Sequence, residues 1–105
     1  MNEHTITLKG QEYKGRIDFA TLGKVQNGLR KQGIKLGFQQ IFTEIQAQNF
    51  AVITELVIQA ILRCHPQIQR EVIEEKLDLS ELENVFSFLG NLITESLPKD
   101  DNKKK

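Results

Sequence analysis

Residues 50–62 read FAVITELVIQAIL, an apolar run broken only by Thr54, Glu55 and Gln59. Wound as a helix over Phe50–Cys64, it turns Phe50, Val52, Ile53, Leu56, Val57, Ile58, Ile61 and Leu62 to most of its circumference. Glu55, Gln59 and Arg63 are spaced four apart and form one narrow polar stripe. The run is shorter than the ~20 residues of a membrane span, and Glu55 interrupts it. A helix apolar on nearly all sides must be enclosed by protein. Whatever else the chain does, it must wrap this segment, with Asn49 placed to cap its start.

The flanking sequence supplies the wrapping. His4–Leu8 alternates, with Thr5 and Thr7 on one face and Ile6 and Leu8 on the other. Gly10-Gln11-Glu12 reads as a turn and Tyr13–Ile17 resumes the extended pattern, which predicts a β-hairpin. A lone hairpin is barely stable in water and must pack on something. Asp18 is placed to cap a helix over Phe19–Lys31, with Phe19, Leu22, Val25 or Gln26, and Leu29 inward. Gly23 and Gly28 each weaken a helix by about 1 kcal/mol relative to alanine, and close approach of the hairpin is a reason to keep them. Gly33 ends this helix. Phe38, Ile41, Phe42 and Ile45 then mark a short amphipathic helix. Pro66 suits the first turn of a fourth helix carrying Ile68, Val72, Ile73 and Leu77 inward. Ser80 and Glu83 form a capping-box pattern for a last helix with Leu82, Val85, Phe86, Leu89, Leu92 and Ile93 on one face, ending near Leu97-Pro98. The expected fold is therefore α+β, mostly α: a hairpin and about five helices round Phe50–Cys64. Residues 1–98 form one domain and 99–105 a polar, disordered tail.

A chain of 105 residues and 12.0 kDa is long enough for one core without disulfides or metals. Its single cysteine, Cys64, excludes an internal disulfide and suits a reducing, cytoplasmic setting. The first residues carry neither the basic flank nor the apolar run of a signal peptide. Net charge is zero but unevenly spread: residues 1–37 carry seven Lys/Arg against three Asp/Glu, and residues 67–98 two against seven. Two solvated faces are the expectation for such charges.

Little in the chain promises chemistry. Cys64 and His65 are adjacent, so on a helix they point about 100° apart, and no third candidate ligand or acid lies nearby; His4 is the only other histidine. A metal or catalytic site needs several convergent groups, so a buried thiol beside a helix-ending histidine is expected. Glu71, Glu74, Glu75, Asp78, Glu81 and Glu83 make an acidic run on outward helix faces, where solvation is the rule. No glycine-rich phosphate loop is present. The helix pair at 38–48 and 50–64 imitates a helix-turn-helix, yet Leu36–Leu62 contains no lysine or arginine, and basic contacts to phosphate supply most non-specific DNA affinity. The reading is a protein without enzymatic activity, cofactor, metal, nucleic-acid partner or membrane association.

The order of elements carries a resemblance. A hairpin, "RIDFATLGKVQNGL", a short helix, "AVITELVIQAILRCHPQI" and the acidic "EEKLDLSELENVFSFLGNLITESLP" are similar to the small tail assembly chaperones of siphophages and phage-derived gene transfer agents. The matching features are Asp18-Phe19 at a helix start, Ala60-Ile61-Leu62-Arg63 followed by Pro66, and Ser96-Leu97-Pro98 at the end, over about residues 4–98. The resemblance implies a cytoplasmic chaperone of the host bacterium that binds and solubilises the tape measure protein while tail tube subunits polymerise, and that is absent from the finished virion. It implies tail tube protein as a further partner, chiefly through a longer frameshifted form made by many of these phages. The terminal lysine triplet is compatible with a slippery codon run. An exposed hairpin edge would also permit homo-oligomers.

The resemblance supplies no residue-level site. Helix-in-groove recognition requires an apolar groove, and the residues that suit one are Phe38 and Phe42, on the short helix that must cover the central one, and Phe88, at the edge of its helix's stripe. The bland alternative places all six phenylalanines in the core. Two other functions fit the same features: a phage structural or head–tail joining protein, which would stay in purified particles, and a regulatory adaptor that binds another protein's helix.

Overall fold

The computed structural model describes residues 3–96, the Ser96 side chain excepted. Strands β1 (Glu3–Leu8) and β2 (Gln11–Arg16) form an antiparallel hairpin, followed by helices α1 (Phe19–Lys31), α2 (Phe38–Gln46), α3 (Phe50–Cys64), α4 (Arg70–Lys76) and α5 (Leu82–Ser96). The fold is α+β and mostly α. The expected tail at 99–105, and the helix end at Leu97-Pro98, lie outside the described residues.

In the hairpin Ile6 pairs with Tyr13 and Leu8 with Gln11. The turn is the two residues Lys9 and Gly10, both at positive φ (51° and 81°), which is the type I′ geometry whose twist matches the strands. The expected Gly10-Gln11-Glu12 turn is thus corrected: Gln11 and Glu12 belong to β2. Ile6, Leu8 and Tyr13 are buried on one face. That face lies across two helices, β2 against α3 and β1 against α5. At Gly15 a Cβ would come within 2.5 Å of Phe88 Cζ and 3.1 Å of the Ala60 carbonyl oxygen, so only glycine lets the hairpin lie this close to α3 and α5.

The helix ends follow local chemistry. Asp18 accepts a hydrogen bond from the Thr21 backbone N–H (2.9 Å) and Asn49 one from Ala51 (3.1 Å), each satisfying a free donor of the first turn. Helix α1 closes at Gly33 (φ 84°), where Ile34 N–H reaches the Leu29 carbonyl and Gly33 N–H that of Arg30, the Schellman arrangement. Gln48 does the same after α2 at φ 63°, unusual for a side-chain-bearing residue, and α2 and α3 meet there at a bend of 115°. Two boundaries differ from expectation. Pro66 does not open α4; the Ile68 N–H donates to the His65 carbonyl, so the ring's fixed φ serves a turn instead, and α4 starts at Arg70. The cap before α5 is Asp78 rather than Ser80: its carboxylate accepts from the Ser80 N–H (3.0 Å) at a 3₁₀ turn, Leu79–Glu81, that leads into the helix.

Helix α3 is the centre. Val52, Leu56, Val57, Ile58, Ala60 and Ile61 have no solvent exposure, and β2, α1, α2 and α4 pack round it. One member of its polar stripe is enclosed as well, while Gln59 and Arg63 are partly exposed. Glu55 is 1% exposed and accepts from both guanidinium NH groups of Arg70 (2.9 and 3.2 Å) and from the Gln59 amide (3.0 Å). Gly28 of α1 lies directly over that carboxylate, where a Cβ would be 2.2 Å from Oε2. Close approach is therefore the role of Gly28, but to Glu55 rather than to the hairpin, whereas a Cβ added at Gly23 would meet nothing within 4 Å. Among the described residues no single helix is long and apolar enough to cross a membrane.

Candidate protein-binding groove

The side of α1 that faces the core is Thr21, Val25 and Leu29, all without exposure, at i, i+4 and i+8. Phe19 is turned about 120° away from Val25 on that wheel. It is 94% exposed, against the expectation that it packs inward. Burial of Thr21 in its place is made possible by polar pairing: its hydroxyl donates to Asp18 Oδ1 (2.8 Å) and lies 3.3 Å from the Arg16 carbonyl oxygen.

Phe19 forms one rim of an apolar groove of about 340 Å³ between α1 and α2, lined by Phe19, Leu22, Gly23, Gln26, Phe38 and Ile41. Phe38, 45% exposed, forms the opposite rim. Its ring stands edge-on to Phe42, with centroids 5.0 Å apart and planes at 75°, a favourable aromatic geometry that fixes the rim. Ile41, fully buried, anchors α2 beneath. Gln26 donates to the Leu36 carbonyl (3.1 Å), which holds the α1–α2 connection against the end of the groove.

Of the three phenylalanines singled out from sequence, Phe38 lines this groove, and Phe42, packed against the core, touches it only through the Phe38 ring. Phe88 is elsewhere, 2% exposed beneath Gly15, and presents no surface. Phe19 was missed because alternate lines along α1 are apolar and periodicity alone does not choose between them. A smaller apolar opening of about 130 Å³ lies between α3 and the start of α5; Phe50, Ile53, Val57, Leu77 and Leu79 are among its lining residues. Leu79 (76% exposed), Phe50 (48%) and Val72 (41%) also face solvent, so neither all six phenylalanines nor the full predicted stripe of α4 is core.

Polar contacts hold the groove's walls in place. Asp18, at the foot of α1, meets Arg63 Nε (2.9 Å) and Arg16 Nε (3.2 Å). Partial burial opposes ionisation of Asp18, but hydrogen bonds from Arg63 and Thr21 and the Arg63 charge outweigh it and hold the carboxyl well below the usual range. Hydrogen bonds from Arg70 to Glu55 and Glu74, with their charges, raise the Arg70 pKa. On the far side Lys9 reaches Asp78, Ser80 and the Glu81 carboxylate from the hairpin turn, so one point of the acidic run meets the basic end rather than solvent. The Lys9 and Ser80 hydrogen bonds lower Asp78 to about 2.

Cys64 and His65 do not converge on one site. The Cys64 thiol, only partly buried, lies 3.7 Å from a Glu3 carboxylate oxygen, and desolvation followed by that negative charge raises its pKa. His65 Nε2 accepts from the Lys14 backbone N–H (3.1 Å) while its ring stands edge-on to Tyr13. Among the described residues no group of three or more His, Cys, Asp or Glu is placed to hold a metal ion. No protein-family model, no curated protein and no solved structure matches the chain.

Proposed function

We propose that this protein is an assembly chaperone that covers apolar helical segments of a partner until the partner is built into a larger structure, as the tail assembly chaperones it resembles in sequence do for the tape measure protein. The observation that carries the reading is the groove between α1 and α2. Two phenylalanines with large exposed areas, Phe19 and Phe38, stand on either side of an apolar floor. Exposing a ring in water is unfavourable by roughly 25 cal/mol per Å² of apolar area, so paired exposed rings over a groove mark a surface that is covered in use. Both walls are anchored on the core: Asp18 at the start of α1 pairs with Arg63 of α3, Gly28 lies against Glu55, and Ile41 of α2 is fully buried. A preformed groove spares the ordering cost that binding otherwise carries.

The test is co-expression with the tape measure protein of the same tail gene cluster. The wild-type chain should keep that protein soluble and co-purify with it. A Phe19→Ala, Phe38→Ala double variant should fold and yet lose the soluble complex. Undiminished solubilisation by a folded double variant overturns the reading, as does the protein's retention in purified particles.

A further inference from the structure

The groove differs in charge from the rest of the molecule, and this defines its occupant. Between Phe19 and Thr43, which span both walls, the chain has four cations, Lys24, Arg30, Lys31 and Lys35, and no carboxylate. Two of these belong to the groove by position. Phe19, Gly23, Gln26 and Arg30 follow one another at i, i+4, i+7 and i+11 along one line of α1, so Arg30 continues the wall where the apolar lining stops. Lys35 precedes Leu36, whose carbonyl Gln26 holds at the same end. Both are exposed, and among the described residues Arg30 makes a long hydrogen bond (3.4 Å) to Asn27 and no ion pair. Lys24 and Lys31 instead line the polar cleft toward α4, with Asn27, Gln59 and Arg70. The carboxylates that flank the segment are occupied: Asp18 by Arg16 and Arg63, and Glu44 by the Asn49 amide.

Resting on the reading of the groove given above, we infer that its ligand is an amphipathic helix with an acidic flank, its apolar stripe between Phe19 and Phe38 and its carboxylates over Arg30 and Lys35. The helical form follows from hydrogen bonding. Beyond the first-turn N–H groups of α1 and α2, both walls are helices whose backbone groups are paired within the helix, so the floor offers no row of free groups for a strand to pair with, and the Gln26 amide donates to Leu36. An extended segment would bury backbone donors and acceptors without partners, at about 1–3 kcal/mol for each group; a helix satisfies its own. Between Phe19 and Gln26 the floor runs seven residues, about 10 Å at the rise of an α-helix, which matches side chains one or two turns apart on the partner. The acidic flank then meets positive charge that no carboxylate among the described residues opposes at that end of the floor.

The experiment uses the full chain and three synthetic helical peptides of roughly 18 residues, long enough to be helical with good helix formers. All carry one Leu stripe; they differ only in having Glu, Gln or Lys along one flank. Fluorescence anisotropy at low and high salt should rank them Glu, Gln, Lys, with about tenfold between the extremes from two exposed charge pairs, shrinking as salt screens them. Charge reversal by Arg30→Glu with Lys35→Glu should invert the order. The matched reversal Lys24→Glu with Lys31→Glu, on the other side of α1, should preserve it. Equal binding of all three peptides, still lost in Phe19→Ala, overturns the acidic flank while leaving the groove's role standing. Binding of none overturns both. An order inverted equally by either double reversal also overturns the inference, since only net charge would then be read.

Discussion

Adding one methyl group at Gly28 should have opposite effects depending on a side chain in another helix. At an exposed helical site, Gly→Ala stabilises by about 1 kcal/mol. Gly23, five residues earlier, has nothing within 4 Å of a Cβ, so Gly23→Ala should show that gain. At Gly28 the same methyl lands 2.2 Å from Glu55 Oε2 and 2.6 Å from its carboxyl carbon. A mobile carboxylate would swing aside, but this one is 1% exposed and held by Arg70 and Gln59. Displacing it weakens charged hydrogen bonds of about 1.5–3 kcal/mol each, and forced overpacking commonly costs about 1–3 kcal/mol. After the gain in helix propensity, Gly28→Ala should be destabilising by about 1–2 kcal/mol. In a Glu55→Ala background, itself destabilised, the obstacle is gone and Gly28→Ala should stabilise by about 1 kcal/mol, giving a coupling of about 2–3 kcal/mol in the double-mutant cycle. Urea unfolding followed by far-ultraviolet circular dichroism measures all four corners. If Gly28→Ala stabilises the wild-type chain as Gly23→Ala does, or the cycle shows coupling below about 0.5 kcal/mol, α1 does not lie on Glu55 as described.

Three further outcomes follow from the same contacts. Asp18 has a folded-state pKa below its unfolded value of about 3.9, so it stabilises the fold above that value and loses this contribution as pH falls through the folded one; Asp18→Asn, which keeps a capping side chain, should flatten the acid limb of an unfolding titration below about pH 4. Gly15→Ala should be destabilising by about 1–3 kcal/mol because its methyl meets Phe88 and the α3 backbone, and Phe88→Leu should recover part of the loss of the Gly15 variant in a melting experiment. The raised Cys64 pKa should make the thiol react more slowly with a maleimide at about pH 8 than a free thiol does, and Glu3→Gln should speed it up; equal rates in the two proteins would remove Glu3 from the account.

Much of the framework was legible because it rests on local signals. Asp18 and Asn49 each cap within three residues of themselves, Gly33 ends α1 through its own φ, and the apolar circumference of α3 demanded enclosure. What escaped depends on partners distant in sequence. The stripe Glu55, Gln59 and Arg63 reads in the sequence only as a narrow polar line on an enclosed helix; Arg70 and Asp18, which neutralise Glu55 and Arg63, lie outside that helix's own periodicity. Gly28 was recognised as a close approach, but the identity of the approaching group required the packing of α1 on α3. Pro66 and Asp78 show a subtler limit: proline suits a turn as well as a first helical turn, and Asp78 competes with Ser80 two residues on for the same role. At the candidate site Phe38 and Phe42 followed from the short α2 stripe, whereas Phe19 required knowing that Thr21, paired with Asp18, takes the inward position.

The most direct test of the groove is a map of where an apolar helix binds. Backbone amide shifts of the labelled chain, recorded by NMR as a Leu-striped helical peptide with a glutamate flank is added, report contact residue by residue. The account predicts the largest changes at Phe19–Gln26 and Phe38–Phe42, with weaker ones at Arg30 and Lys35, and their loss in the Phe19→Ala, Phe38→Ala variant. Changes centred instead on Phe50 and Leu77–Leu82, at the smaller opening between α3 and α5, would contradict it.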